Sequence, residues 1–519
     1  MGVDFSQYTT AVLAEDIESL RLALGIDQWD LFGTSYSTRL VQVLMDRHPE
    51  GIRAAILQAV NPLHETRFHR DPEHSYRVLQ VMFEDCASDP DCAAAYPDLE
   101  NRFYALVAEL NRSPIELSLE DPGGGSPIPL QVSGATLIDW MVGRAFYGPT
   151  FPPFTTAFYP LLISQLSAGK TAALESWALN EIQEDIFTSD FIAFGLYFSV
   201  NCQDDASAVT KAEIDTLSAG YPEMDGYYRH LNEWNLCQLW NLPPAPKLAD
   251  EPIHSDIPAL VLVGRYDPIT PPHWAREVAE NLPNSFYVEF PSKGHNLDSG
   301  TTCADQIKRS FLQDPQSEPD TSCLAAEPSP EYVLPGEWIY IPDYLDSVED
   351  INIGVPNQGK PLLEAMAVAS MLIFIVEVTF ILVTGFRVLG AKPDRKSKAK
   401  ALNFPQHVFA GITGVLSITT VQLNSMVMRE FTNKPDWMEN LVGLPRSEPL
   451  VILVGILTVL QLLAAAGLLV MGTILLARKH GRLFNRILFT LVTLAVIVFS
   501  FFLVRWNLQN IFLSWLGLM

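Results

Sequence analysis

Trp29-Asp-Leu-Phe-Gly33-Thr-Ser35-Tyr-Ser37 is the stretch on which the fold turns. Residues 29–32 read as a short apolar strand, Gly33 to Ser37 as a tight turn holding a serine, and residues 38–48 as a helix. Strand, turn and helix in direct succession are what a nucleophile elbow needs. The turn lifts a hydroxyl above the carboxyl edge of a sheet, and the helix N-terminus behind it favours negative charge. On this reading Ser35 attacks a carbonyl and the Tyr36 N–H donates to the oxyanion. The motif departs from G-x-S-x-G at its last position, where Ser37 stands in place of the glycine that lets helix and strand approach. A serine in an ordinary strand–helix loop would read the same way.

Upstream, residues 8–24 carry an amphipathic helical run (Val12, Leu13, Ile17, Leu20, Leu22, Leu24) that Gly25 ends. Far downstream, Pro258 to Gly264 is a buried-strand run, and Arg265-Tyr-Asp267-Pro-Ile-Thr-Pro271 follows at its carboxyl end. Pro271-Pro272 opens another helix, through Leu282. A further strand, Ser285 to Phe290, leads into Ser292-Lys-Gly-His295. The order Ser35, Asp267, His295 makes a triad: Ser35 attacks, His295 takes and returns its proton, and Asp267 orients the imidazole.

With these segments in hand the chain resembles a known family. Asp16-Ile-Glu-Ser-Leu-Arg-Leu-Ala-Leu-Gly25, Gly33-Thr-Ser-Tyr-Ser-Thr-Arg-Leu40, Tyr266-Asp-Pro-Ile-Thr-Pro-Pro272 and Lys293-Gly-His295 look like the S33 peptidases of the α/β-hydrolase fold. They resemble the bacterial tripeptidyl aminopeptidase branch, relatives of prolyl iminopeptidase, over residues 8–325. The resemblance implies an exported exopeptidase that removes residues from peptide N-termini, and a Cys303–Cys323 pair of the sort found in that branch. The fold expected is a partial α/β-hydrolase, about strands 5 to 8 of its sheet, with core residues 1–62 and 256–325 split by a helical cap over 63–255. The cap carries aromatic runs, Phe146-Tyr147 and Phe151-Pro-Pro-Phe154. An aminopeptidase must hold a substrate ammonium, so Glu181, Glu184, Asp204, Asp205 and Glu233 are candidates in the cap, each equally readable as a surface acid.

Composition limits the alternatives. Sixty acidic residues against 34 basic ones give a net charge of −26, concentrated before residue 350, which excludes a nucleic-acid partner. The six cysteines, Cys86, Cys92, Cys202, Cys237, Cys303 and Cys323, include no C-x-x-C pair, which speaks against zinc or redox chemistry. Pairing each with its neighbour gives three disulfides and an oxidising compartment; buried free thiols in a cytosolic protein are the other reading. His64, His69 and His74 recur every five residues, which suits neither a helix face nor a strand face, so a loop is expected rather than a metal site. Cys86-Ala-Ser-Asp-Pro-Asp-Cys92 reads as a disulfide-closed loop with helix-capping aspartates rather than a calcium site. No cofactor or metal is expected.

After an acidic, Pro-rich linker over 326–360, residues 361–519 are mostly apolar. Four stretches, 363–389, 405–428, 449–477 and 484–506, reach the ~20 residues that cross ~30 Å of hydrocarbon. Lys392, Arg395, Lys396, Lys398 and Lys400 follow the first, and Arg478, Lys479 and Arg482 the third, which puts both ends of a four-helix bundle outside the cytoplasm. The expected location is therefore a multi-pass anchor in the cell membrane, its hydrolase part extracytoplasmic. Glu377, within the first stretch, is read either as a functional carboxyl or as one bonded to a neighbour such as Asn424 or Gln461.

Only residues 1–28 precede the elbow strand, and they supply one helix. Strands 1 to 4, the Gly-Gly-Pro-Gly-like turn expected to hold a second oxyanion donor, and any signal peptide are all missing from this reading. The expectation is that Met1 is internal to a longer reading frame or begins a truncated gene, so that the chain is inactive alone. Two other functions compete with the peptidase: an esterase with the same triad, and a non-catalytic receptor module that binds a ligand for the bundle.

Overall fold

The computed structural model describes residues 3–66, 70–119, 126–146, 148, 156–171, 174, 177–178, 192–224, 227, 231–297, 303–330 and 332–335. In the last third it describes 338–339, 444–445, 449–477 and scattered helical residues within 415–423 and 490–504. The chain forms two compact units, residues 1–121 with 125–334 and residues 122–124 with 335–519.

The first unit is built on four parallel strands, β1 (Trp29–Thr34), β2 (Ile52–Gln58), β5 (Ala259–Gly264) and β6 (Ser285–Phe290), in the order β1-β2-β5-β6. Three of them, β1, β5 and β6, are the runs read as strands in the sequence; β2 is the fourth of the four strands that the expected partial sheet needs, at a position the sequence reading does not give. Helix α1 (Thr10–Ala23) precedes β1, and α2 (Ser37–Arg47) connects β1 to β2. The inserted region carries α3 (Asp71–Ser88), α4 (Pro90–Ala95), α5 (Leu99–Arg112), a hairpin of β3 (Ile115–Leu119) and β4 (Ile128–Val132), α6 (Gly134–Ala145), α7 (Tyr159–Ser167), α8 (Phe194–Asp204), α9 (Lys211–Ser218) and α10 (Leu231–Trp240). Helix α11 (Pro272–Glu280) joins β5 to β6, and α12 (Cys303–Gln313) follows.

Strand periodicity explains why the sheet takes helices on both faces. On one face Ala55, Leu57, Ala259, Val261 and Val263 pack with Ala14 of α1, Val41 and Leu44 of α2 and Val278 of α11. On the other, Ala54, Ile56, Leu260 and Leu262 pack with Ala304, Ile307 and Phe311 of α12. Both sets of alternating side chains are buried, so β5 reads as an unbroken apolar run and β2 as one over Ala54–Leu57. Each buried Val, Leu or Ile contributes about 1.5–3 kcal/mol.

Two expectations need correction. The leucines of the first helix do not form its buried face: Leu20 is 53% exposed and Leu24 62%, while Thr10, Ala14, Glu18 and Arg21 are buried. The reason is positional. Strand β1 is the outer strand of the sheet, so among the described residues no further strand lies where those leucines would pack. The burial of Glu18 and Arg21 is possible because they pair with each other at 2.7 Å and Arg21 also donates to the Ile26 and Asp27 carbonyls. The insertion, read as mostly helical, also contains the antiparallel β3–β4 pair, which the alternation Ile115-Glu-Leu-Ser-Leu119 encodes.

Disulfides join Cys86 to Cys92, Cys202 to Cys237, and Cys303 to Cys323. In the second unit one helix, α13 (Pro449–Ala477), contains a 22-residue stretch, Pro449–Val470, long and apolar enough to cross a membrane. Its exposed large apolar side chains include Leu453, Leu460, Leu463, Leu469, Val470 and Ile474, whereas Thr458, Gln461 and Leu468 are fully buried. Gln461 Nε2 donates to Ser417 Oγ at 2.8 Å. Glu377 and the first expected span lie outside the described residues, as do most of the second and fourth.

Candidate active site

Ser35, Asp267 and His295 each follow the carboxyl end of a strand, β1, β5 and β6 respectively, and parallel pairing brings those ends to one edge. The elbow has the expected backbone. Ser35 has φ +56°, in the left-handed region that side chains avoid, and its N–H donates to Gln58 O at 2.9 Å. Gly33 is required here, because a Cβ would lie 2.8 Å from Ser37 O. Ser37 works as a closing residue: its Oγ donates to Thr34 O at 2.7 Å and accepts from Thr34 N at 2.8 Å. Serine in place of the motif's last glycine thus ties the turn to itself. The Tyr36 N–H, at the start of α2, has no protein acceptor among the described residues and is open to a ligand oxygen.

Asp267 and His295 are held far more tightly. Asp267 is fully buried and its carboxylate accepts four hydrogen bonds. Oδ1 accepts from Ile269 N and Thr270 N, both at 2.8 Å, and Oδ2 accepts from Thr270 Oγ1 at 2.6 Å and His295 Nδ1 at 2.8 Å. An aspartate accepting from main-chain N–H two and three residues on is an Asx turn, which the Asp-Pro-Ile-Thr sequence favours. Thr270 Oγ1 also lies 3.1 Å from His295 Nδ1, so this hydroxyl spans acid and base. His295 is 4% exposed, and the Phe146 ring covers it at 4.9 Å between centroids. Its hydrogen bonds run to Asp267 and Thr270; Ser35 Oγ is not among its partners in this structure.

Backbone contacts explain the fit of the His295 loop. Gly294 lies against the end of α6, where a Cβ would fall 2.0 Å from Ala145 O, and Gly264 lies against Gly294 O. Asn296 N donates to Phe146 O at 3.1 Å and Tyr266 N to Lys293 O at 2.9 Å. The loop is therefore wedged between the acid turn and the cap.

The cap acids have other work. Asp205 pairs with Arg39 at 2.7 Å, with both side chains buried. Asp204 Oδ2 accepts from Thr10 N at 2.8 Å and from Thr10 Oγ1 at 2.5 Å, capping α1, and Thr10 Oγ1 lies 3.0 Å from the Tyr36 hydroxyl. The remaining oxygen, Asp204 Oδ1, is buried without a protein partner, and burial raises the carboxyl above its usual range. Burial likewise pushes the Tyr36 hydroxyl up to about 12, so it stays protonated. Glu233 accepts from Tyr197 OH at 3.0 Å. Glu181, Glu184 and Tyr147 lie outside the described residues.

Of the three histidines with five-residue spacing, His74 packs edge-on against Trp274 at 4.6 Å between ring centroids, His64 faces Glu277 at 3.3 Å, and His69 lies outside the described residues. Thr270 and Arg39 are neighbours to which the sequence reading gave no role, and Phe146, read there as part of an aromatic run of the cap, is the ring that covers His295.

Residues 4–92 match the family model described as alpha/beta hydrolase fold, and residues 224–323 match the one described as TAP-like protein. The first interval contains Ser35, the second Asp267 and His295. The protein YuaR of Escherichia coli (strain K12) is 24% identical over 331 residues, covering 59% of this chain and 61% of its own length. Serine protease Hip1 of Mycobacterium tuberculosis (strain ATCC 25618 / H37Rv) is 22% identical over 331 residues, covering 60% and 61%. Proline iminopeptidase of Xylella fastidiosa (strain 9a5c) is 22% identical over 293 residues, covering 56% and 68%. The chain thus spans 61% of the length of the first two of these relatives.

Proposed function

We propose that this chain, an α/β-hydrolase by fold, is a membrane-anchored serine hydrolase that cleaves residues from peptide N-termini through an acyl-enzyme. The observation that carries the proposal is the 2.8 Å bond from His295 Nδ1 to the buried Asp267, at the same sheet edge as a serine with left-handed backbone. In the proposed mechanism Asp267 holds the imidazole with Nδ1 protonated, leaving Nε2 as the base for Ser35 Oγ. Ser35 attacks the carbonyl, and the tetrahedral oxyanion takes the Tyr36 N–H. His295 then protonates the leaving amine, and water repeats the sequence on the ester. Peptide chemistry is supported by two similar proteins whose names state a protease and an iminopeptidase. Asp204 Oδ1, the unshared carboxylate oxygen close to Tyr36, is the proposed partner of the substrate ammonium.

Helix α13 supports the anchor. Leu453, Leu460, Leu463 and Leu469 are exposed while Thr458 and Gln461 are buried beside Val451, Val454 and Leu468, so the exposed side is apolar and the polar groups lie inside, an arrangement suited to lipid. The remaining three spans complete the proposed multi-pass bundle.

A neutral substrate is the second reading, favoured by one observation: Asp205 is spent on Arg39 and Glu233 on Tyr197. Labelling the full chain with a fluorophosphonate probe, with Ser35→Ala as control, tests the chemistry. Ser35-dependent labelling is expected, and a folded chain that takes up no probe refutes it in favour of the receptor module. Peptides with free and blocked N-termini, set beside p-nitrophenyl esters, then separate exopeptidase from esterase.

A further inference from the structure

The turn that carries Asp267 is gripped by one helix of the insertion. Arg77 of α3 donates through Nη1 to Arg265 O at 2.9 Å and through Nη2 to Asp267 O at 2.5 Å. Eight positions on, Asp85 accepts from Arg265 Nη1 at 2.8 and 2.9 Å and from the Tyr266 hydroxyl. Eight residues are a little over two helical turns, so both side chains leave the same face of α3. Every residue of Arg265-Tyr266-Asp267 is thereby bonded to α3, by main chain, side chain or both. The helix is fixed in turn: His74 packs edge-on against Trp274 at the start of α11, and the Cys86–Cys92 disulfide closes the chain directly after Asp85.

This grip is costly to build, which argues that it has a purpose beyond filling space. Arg77 leaves its Nε buried without an acceptor, and burial pulls the guanidinium below its usual range even with Asp267 opposing that shift. Tyr266 is 1% exposed, with its hydroxyl raised by burial and by the Asp85 charge. A fork that binds two carbonyls two residues apart fixes the path of the main chain between them. That path sets where the Asp267 carboxylate points, and so the angle of its bond to His295.

We propose that Arg77 and Asp85 are positioning residues for the catalytic acid, so that α3 holds the Asp267–His295 pair in line and couples the insertion to the site. The proposal rests on reading Asp267 and His295 as acid and base. A displacement of about 1 Å at such a pair is worth roughly 100-fold in rate.

The test uses the full chain in detergent and two readouts. The first is the second-order rate of Ser35 labelling by a fluorophosphonate. The second is the low-field proton resonance of His295 Nδ1–H, assigned by its loss in Asp267→Asn. Arg77→Met is expected to slow labelling about 10- to 100-fold and to abolish or broaden the resonance. Arg77→Lys, which keeps the charge and can reach one of the two carbonyls, is expected to recover part of both. Asp85→Asn, which keeps an acceptor for Tyr266, should fall between wild type and Arg77→Met. If Arg77→Met does not fold, the order wild type, Arg77→Lys, Asp85→Asn decides. An unchanged resonance and labelling rate in the folded variants overturns the clamp. A wild-type chain that shows the resonance, loses it on substitution, yet takes up no probe at Ser35 sinks the hydrolase reading and leaves the clamp standing.

Discussion

Asp267 and His295 are held from every side, whereas Ser35, on the same edge of the same sheet, is held mainly by its own turn. The Asp267 carboxylate accepts four hydrogen bonds in the turn after an inner strand, and His295 is wedged between two glycine contacts and an aromatic ring. Ser35 is half-buried at the end of an outer strand, and its turn is closed by the Ser37 hydroxyl. The difference teaches that the two halves of the site are stabilised to different extents. Both halves rest on a local turn; the Asp267–His295 half adds the bond between the two and the packing of the His295 loop against α6 and Phe146, whereas the Ser35 half adds the single bond from Ser35 N to Gln58 O.

The largest effect expected is on the tightly held half. Asp267→Asn keeps the size of the side chain but favours the wrong imidazole tautomer, so turnover or probe labelling should fall about 10⁴-fold. A loss of tenfold or less would mean that the acid is not paired with the base in the reacting state. Next comes Gly294→Ala, where the added methyl meets Ala145 O and Phe146 O. Backbone on both sides cannot give, so destabilisation of about 3 kcal/mol is expected at the upper end of overpacking costs, read as a lower denaturant midpoint. An unchanged midpoint would show that the His295 loop is looser than its contacts suggest. The smallest effect belongs to the nucleophile side: Ser37→Ala removes two bonds to Thr34 and should cost about 1–2 kcal/mol. If that variant instead cost as much as Gly294→Ala, the contrast between the halves would disappear.

How much of this was legible in the sequence follows the same division. The elbow could be read because strand, Gly33, Ser35 and helix are contiguous, and local sterics alone demand that order. Asp267 and His295 could be read because each directly follows an apolar strand run. What escaped was set by distant partners. Phe146 covers His295 from a position 149 residues earlier, and Arg77 and Asp85 reach the acid turn across separations of 188, 190, 180 and 181 residues. No periodicity marks such pairs. The leucines of α1 were misread for a related reason: amphipathicity tells which side of a helix is apolar, but only the neighbours decide whether that side is covered. Thr270, by contrast, could have been found, since Asp-Pro-Ile-Thr is a recognisable turn sequence.

The position of β1 at the rim of the sheet carries a consequence for how the protein must be handled. Among the described residues no strand pairs with its outer side, a ladder of amides and carbonyls that ends within a residue or two of position 35. Whatever joins that ladder stiffens the support under the nucleophile, and whatever leaves it loosens that support. Labelling of Ser35 is therefore best compared at matched protein concentrations, where pairing along that edge is held constant.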